Sequence, residues 1–421
     1  MHNVINPAEV SRDGLVEHAQ DPTAPEGLIF AHAQEGKPLA TPWQVAGLRA
    51  ALLASHPLKD GWLLDCACGS GIQLAAYAST LRRPVLGVEL DPSRAQASAA
   101  NLQTVAEHQQ ATQATWFTDS RVLSGDGTAA IEVMKALGDN GGISVLHLDP
   151  ARPRNSRTHA LEEMQPPLHS VLNAWAPFFQ GEPALILDLS PRLTADQRQE
   201  VEALVEAVWP GLGKTWEWTS RGRGRVDRLA LWAGGVAEEG VSRRFVRVPP
   251  SLGASPYMLR TNEAEEALVP VVHPPKRGEY VSLLDAALVE SGLISAWLSN
   301  VSKETRFRWG AVEGRRPQLH HDHPLRLNEE DQWMVQATGR VVDVMPVDID
   351  ESTVDDVVLR ALEHNFRSLK LRLDIDPALQ PQVQGSLDRQ LHRRHGERDG
   401  FLARHPTAKV LLLCVNHHDQ R

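Results

Sequence analysis

Gly61-Trp62-Leu63-Leu64-Asp65-Cys66-Ala67-Cys68-Gly69-Ser70-Gly71 is the stretch that decides the fold. Residues 61–67 form a short apolar run that closes on an acid and runs into a glycine turn. The next segment, IQLAAYASTL (72–81), has the composition of a helix. Strand, glycine loop and helix in that order open a βαβ unit. Outward from it the alternation continues: PVLGVEL (84–90) reads as the second strand and PSRAQASAANLQTVAEH (92–108) as the second helix, capped by Asp91. A third strand is expected in ATWFTD (114–119) or slightly later. ISVLHLD (143–149) is the fourth and ALILDLS (184–190) the fifth. Such alternation predicts an α/β fold with a parallel sheet covered by helices on both faces. KTWEWTS (214–220) and RLALWAG (228–234) are joined by too short a loop for a parallel crossover, so they predict a terminal antiparallel hairpin.

Three domains follow from this pattern. Residues 1–57 read as an N-terminal helical segment, in which TPWQVAGLRAALL (41–53) has helical periodicity. Residues 58–240 hold the α/β sheet. Residues 241–421, entered through the prolines at 249, 250, 270, 274 and 275, read as a separate α+β domain, with a helix around 280–293 and a closing strand at 409–416. The chain has 421 residues, enough for two or three domains, and 42% of them are hydrophobic, enough to fill their cores. The net charge of −10 excludes a protein that coats nucleic acid by bulk positive charge. It leaves open an enzyme with a local basic face. Three cysteines (Cys66, Cys68 and Cys414) make no disulfide framework, which fits a reducing compartment. No signal-peptide pattern and no membrane-length apolar run are present, so a soluble cytoplasmic protein is expected.

The glycine loop lies at the carboxyl end of the first strand, where open α/β sheets bind their ligands. Asp65, Ala67, Gly69 and Gly71 form a D-x-x-x-G-x-G pattern rather than the dinucleotide G-x-G-x-x-G, since Leu74 stands at the third glycine position. Glu89 ends the second strand about 20 residues after the glycines, where a carboxylate accepts bonds from the ribose hydroxyls of an adenosine. Asp126 and Gly127, in SGDG (124–127), offer an acid for an adenine amino group and a backbone free to approach the ring. Each element alone is more often a plain turn. Their order at successive strand ends makes them one site.

With these motifs the chain resembles class I methyltransferases, and more closely the subgroup with a C-terminal THUMP-like domain. The resemblance is carried by Ala40-Thr41-Pro42-Trp43-Gln44-Val45-Ala46, by Asp65–Gly71, by Asp149-Pro150-Ala151-Arg152, by Pro166-Pro167-Leu168, by Ser190-Pro191 and by Asp285–Leu288. It covers most of the chain from about residue 40. It implies S-adenosyl-L-methionine as cofactor, a Rossmann-like catalytic sheet, and RNA modification, with methyl transfer to a base nitrogen of tRNA or rRNA. Alternatives are a protein or small-molecule acceptor, or a non-catalytic RNA-binding or assembly factor.

The resemblance places the reacting end at Asp149, Pro150 and Arg152. Nucleic-acid amino methyltransferases often have an aromatic residue where this chain has Arg152, so the methylated atom stays open. Arg154 and Arg157 beside that site, and Arg221, Arg223 and Arg225 in the hairpin loop, are candidate contacts to structured RNA. Cys66 and Cys68 read as packing residues. No metal is expected: His320, His321 and His323 read as a solvated loop.

Overall fold

The computed structural model describes residues 3–17, 21–33, 41–138, 142–151, 159–222, 224–251, 253–263, 267–302, 305–393 and 396–417. The chain forms two compact units. Unit 1 comprises Met1–Glu217, Arg228–Arg244 and Ser251–Pro256; unit 2 comprises Trp218–Asp227, Phe245–Pro250 and Tyr257–Arg421. The expected single boundary at 240/241 is thus replaced by several crossings of the chain between units.

Unit 1 starts with three short strands, β1 (Asn3–Ile5), β2 (Leu15–Glu17) and β3 (Ala31–Ala33), before its first long helix, α1 (Trp43–Ala54). Among the described residues of the expected helical segment 1–57, helix is found at α1 and, before it, in a short 3-10 turn at Pro7–Glu9. β1 pairs antiparallel with a sheet edge through Val4 and Ile5, whose β-branched side chains suit a pleated surface. Then come β4 (Trp62–Cys66), α2 (Ile72–Leu81), β5 (Val85–Glu89), α3 (Pro92–His108), α4 (Thr115–Thr118), β6 (Arg121–Ser124), α5 (Ala130–Ala136), β7 (Ile143–Leu148), α6 (Leu168–Trp175), β8 (Phe179–Leu189), α7 (Ala195–Val208), β9 (Lys214–Ser220) and β10 (Arg228–Gly234). ATWFTD supplies a single helical turn, and the third strand of the alternation is β6, just after it.

Eight strands of a ten-stranded sheet run in the order β1-β6-β5-β4-β7-β8-β10-β9. The pairs from β6 to β8 are parallel, and β10 runs antiparallel to β8. The parallel strands are continuous apolar runs because helices cover both faces; Leu63, Leu64, Val85, Leu86, Val145 and Leu146 are fully buried. The strand order reverses between β4 and β7, so their carboxyl ends open a crevice there. Asp91 caps α3 as expected, its Oδ1 accepting from the N–H groups of Ser93 (2.8 Å) and Arg94 (3.1 Å).

Unit 2 takes up β11 (Arg243–Arg247) in part, and holds β12 (Tyr257–Thr261), β13 (Tyr280–Leu284), α8 (Ala286–Glu290), α9 (Ile294–Val301), β14 (Phe307–Ala311), β15 (Gln318–His321), β16 (Val335–Met345), α10 (Val354–Glu363), β17 (Phe366–Leu371), α11 (Gln380–His392), β18 (Arg398–His405) and β19 (Val410–Asn416). Seven of its strands form a sheet in the order β14-β15-β13-β16-β19-β18-β17. Val357, Ala361, Val383 and Leu387 of α10 and α11 share a core with Leu402, Leu411 and Leu413 of that sheet. The helix expected around 280–293 is instead strand β13 followed by the short α8. Asp285 breaks the run by accepting bonds from Ala287 and Leu288 as an N-cap. Among the described residues no helix is long and apolar enough to cross a membrane.

Candidate functional site

A cavity of about 1080 Å³ opens in unit 1 at the carboxyl ends of β4, β5, β6 and β7. Asp65, Ala67, Gly69, Glu89, Asp126, Gly127, Asp149 and Pro150 all line it, so most residues singled out from the sequence converge there. The loop leaving β4 turns through positive φ at Ala67 (149°), Gly69 (54°) and Gly71 (72°). For Ala67 this is a sparsely populated conformation of the kind that clusters at ligand sites. Gly71 does not line the cavity. A Cβ there would lie 2.1 Å from Ser98 Oγ and 2.7 Å from Ser98 Cα, so this glycine lets α2 and α3 close together. Gly71→Ala is expected to lower stability by ~2–4 kcal/mol, from the left-handed backbone penalty plus overpacking. Urea unfolding of the variant measures this.

Glu89 is 7% exposed and both its oxygens are engaged: Gly69 N–H donates to Oε2 (2.9 Å) and Asp91 N–H to Oε1 (3.0 Å). Burial pushes its carboxyl up from the ordinary value, and these two bonds pull it back. Each carboxylate oxygen has a further lone pair for a ligand hydroxyl. Beside it, Leu90 is 74% exposed and gives the cavity an apolar wall. Asp126 is exposed, and its Oδ1 accepts from Thr128 N–H and Oγ1–H, both at 2.8 Å. The Gly127 carbonyl is fixed by the buried Trp175 indole (2.7 Å), which the sequence did not signal.

At the far side of the cavity, Arg228 Nη1 donates to Asp149 Oδ2 (2.9 Å) and Nη2 to Thr41 Oγ1 (2.6 Å). One arginine thus joins Thr41, just ahead of α1, to the Asp149-Pro150 turn. The Asp149 side chain is still 38% exposed; desolvation pushes its carboxyl up, and Arg228 opposes that. Ala151 and Gln165 exchange backbone bonds of 2.9 Å in both directions, which sets Pro166 and Pro167 on the cavity wall.

Beneath the loop lies a chain of charges that sequence reading missed. Arg49 of α1 donates to Asp188 of β8; His147 of β7 contacts Asp188 Oδ2 through Nε2 (3.2 Å) and Asp65 Oδ2 of β4 through Nδ1 (3.0 Å). All four side chains are at most 3% exposed. Asp65 Oδ1 is buried without a hydrogen-bond partner, although Asp65 lines the cavity. Burial pushes the Cys66 and Cys68 thiols well above the ordinary range, so neither supplies a thiolate nucleophile.

The candidate nucleic-acid contacts fare differently. Arg152, Arg154, Arg157 and Arg223 lie outside the described residues. In unit 2, Arg221 is tied to Asp227 by its Nε (2.9 Å) and is 16% exposed, while Arg225 is 56% exposed and 3.9 Å from the same acid. His320 and His321 are not solvated: they are fully buried on β15, His320 bonded to Gln318 and His321 to Ser282, because this strand lies inside the sheet of unit 2. His323 is exposed. Among the described residues no group of three or more His, Cys, Asp or Glu side chains could hold a metal ion.

No family model and no curated protein matches the chain. Solved structures do. A candidate methyltransferase from Porphyromonas gingivalis W83 is 14% identical and superposes with a TM-score of 0.54, over 90% of this chain and 81% of that one. A candidate class I S-adenosylmethionine-dependent methyltransferase from Listeria monocytogenes is 14% identical with a TM-score of 0.35, over 52% of this chain and 70% of its own. The first likeness establishes a shared fold, and the sheet order described above agrees with it: a class I methyltransferase-like α/β sheet, with a second sheet-bearing unit toward the C-terminus.

Proposed function

We propose that unit 1 binds S-adenosyl-L-methionine and catalyses methyl transfer, with a base nitrogen of tRNA or rRNA as acceptor. The observation that carries the cofactor reading is Glu89, held by the N–H groups of Gly69 and Asp91 at the edge of the glycine loop. Two further features fit the cofactor. A Cβ on Gly69 would meet nothing within 4 Å, so the loop backbone is open to a ligand. The unpartnered Asp65 Oδ1 gives an acceptor to a cationic group. Glu89 would hold the ribose hydroxyls, Asp126 and Gly127 the adenine edge, Leu90 its face, and Asp65, Ala67 and Gly69 the amino-acid end. When bound, the cofactor supplies an electrophilic methyl on a sulfonium.

Asp149 and Pro150 are the residues of this chain that would receive the acceptor. Arg228 holds one carboxylate oxygen of Asp149, the other accepts nothing from Arg228, and Asp149 lines the cavity, an arrangement suited to orienting an N–H nucleophile. Asp149→Asn is expected to lower the transfer rate by about 10²-fold or more, with cofactor affinity changed less than about threefold. Single-turnover transfer and cofactor titration, measured on the same preparation, separate the two effects.

The exposed Arg225 supports an RNA acceptor, and a THUMP-like role for unit 2 is proposed with it. The size of the cavity supports a second reading. At about 1080 Å³ it exceeds the ~300–1,000 Å³ of common ligand sites, which leaves space for a small acceptor beside the cofactor. Mass spectrometry of tRNA and rRNA nucleosides, with and without the gene, tests the RNA acceptor; an unchanged profile would turn the proposal to the small-molecule acceptor. Failure of the wild-type chain to bind S-adenosyl-L-methionine or S-adenosylhomocysteine would remove both.

A further inference from the structure

We infer that His147 is the positioning residue of the cofactor site: gripped between Asp65 and Asp188, its doubly protonated ring fixes the Asp65 carboxylate under the glycine loop, so that cofactor affinity follows the ring's proton. This rests on the cofactor reading above. The register of the sheet sets up the grip, because Asp65 on β4 and His147 on β7 are direct partners in the parallel ladder. Asp188 approaches from β8 on the other side. A carboxylate attracts a protonated ring nitrogen and repels the lone pair of a bare one. Nε2 is hydrogen-bonded to Asp188 (3.2 Å), and Nδ1 lies 3.0 Å from Asp65 Oδ2 as an ion-pair contact outside hydrogen-bond geometry, so two carboxylates flank the ring and favour its charged form.

The surroundings agree. Arg49 from α1 reaches Asp188, and Tyr77 from α2 places its ring edge-on to His147 at 5.3 Å. Asp149, just past the end of β7, and its partner Arg228 are the next charges, and Glu217 acts through space on Arg49 and Tyr77. Arg49 and His147 then balance Asp65 and Asp188, so the buried quartet is formally neutral. Burial alone would lower the ring's pKa, but the two carboxylates outweigh it and push it up to about 9.

The sign follows. The raised value means that the grip is complete below the ordinary histidine value of 6.5 and is lost as pH rises through about 9. A neutral ring has one N–H for two carboxylates, so one contact turns repulsive and Asp65 is released from its fixed orientation. Asp65 faces the cavity, so its freedom is felt by whatever binds there.

The test is calorimetric titration of S-adenosylhomocysteine into the full chain and into His147→Gln, from about pH 6 to about pH 9.5. The ligand's own amine titrates in this range, but it cancels in the ratio of variant to wild-type Kd. That ratio is expected to be about 10–100 near pH 6.5, the loss of a buried charge-assisted bond, and to fall toward one above about pH 9. A purely structural role for His147 would leave the ratio flat. His32→Asn, at the other histidine lining the cavity, is expected to keep the wild-type pH dependence. A flat ratio, a ratio near one at low pH, or a His32→Asn variant that reproduces the effect overturns the inference while the methyltransferase reading stands. A wild-type chain that binds neither cofactor form at any pH overturns that reading itself. Should His147→Gln fail to fold, nitrogen NMR of histidine-labelled wild type decides. Both ring nitrogens protonated at about pH 7, with a midpoint near 9, is the expected result, and a neutral ring there refutes it.

Discussion

Arg49→Met is expected to destabilise unit 1 by ~3–5 kcal/mol, one of the largest single-residue effects in the protein. Arg49 and Asp188 are 1% and 3% exposed, so the variant leaves a carboxylate in a dry interior with half of its compensation gone. His147 remains beside Asp188, but it must also serve Asp65. Methionine fills much of the volume, so the loss measured is electrostatic rather than a cavity. The double variant Arg49→Met/Asp188→Asn removes the orphaned charge and leaves the His147–Asp65 pair, which balances by itself. It is expected to regain a large part of the loss, a coupling that a mutant cycle isolates. The contrast lies at the surface, where Arg12 meets Glu107 at 3.1 Å with 39% and 52% of the side chains exposed. Arg12→Ala is expected to change stability by less than about 1 kcal/mol. Urea unfolding of the full chain, followed by tryptophan fluorescence, reads wild type, Arg49→Met, Asp188→Asn, the double variant and Arg12→Ala, five proteins in all. An Arg49→Met variant within about 1 kcal/mol of wild type would sink the account of the buried quartet.

The quartet also shows where sequence reading stops. The glycine loop, Glu89 and Asp149 are legible because each sits at a strand end, and buried parallel strands announce themselves as unbroken apolar runs. Arg49, His147 and Asp188 are scattered over 140 residues of chain and sit inside segments whose apolar neighbours define the pattern. A charged residue in such a run reads as a solvated position, and only the register of β7 and β8, with α1 packed so that Arg49 reaches Asp188, brings the three together. Arg228 is hidden in the same way: it reads as one arginine of a basic loop, yet it serves Asp149 and Thr41. The misread segments have local causes. β1, β2 and β3 have three residues each, too few to display a period of two. YVSLLDAALVE supports either a strand or a helix by periodicity, and the N-cap at Asp285 divides it into one of each. His320 and His321 sit beside polar neighbours in sequence but inside the second sheet in space, where Gln318 and Ser282 satisfy them.

Glu89→Ala is expected to weaken S-adenosyl-L-methionine binding by ~10²–10⁴-fold, with the methylation rate falling in step at limiting cofactor. Two ribose hydroxyls on one carboxylate are two bonds to a charged acceptor, each contributing ~1.5–3 kcal/mol. The substitution also strips the Gly69 and Asp91 N–H groups of the oxygens they now reach, so the loop and the start of α3 lose their common anchor. Glu89→Gln separates these contributions. Its amide has the same shape, but one oxygen becomes a donor, and that donor must face either the Gly69 N–H or the Asp91 N–H. Both are donors themselves, so one contact is repulsive whichever way the amide turns. Glu89→Gln should therefore bind cofactor nearly as poorly as Glu89→Ala, although it fills the site. Glu89→Asp keeps the charge but withdraws the carboxylate by one methylene, and it should fall between the two and wild type. If Glu89 merely braced the loop, the near-isosteric glutamine would be the mildest of the three. A glutamine variant that binds as well as wild type would show that the carboxylate has no ligand to hold, and the adenosine reading of this cavity would go with it.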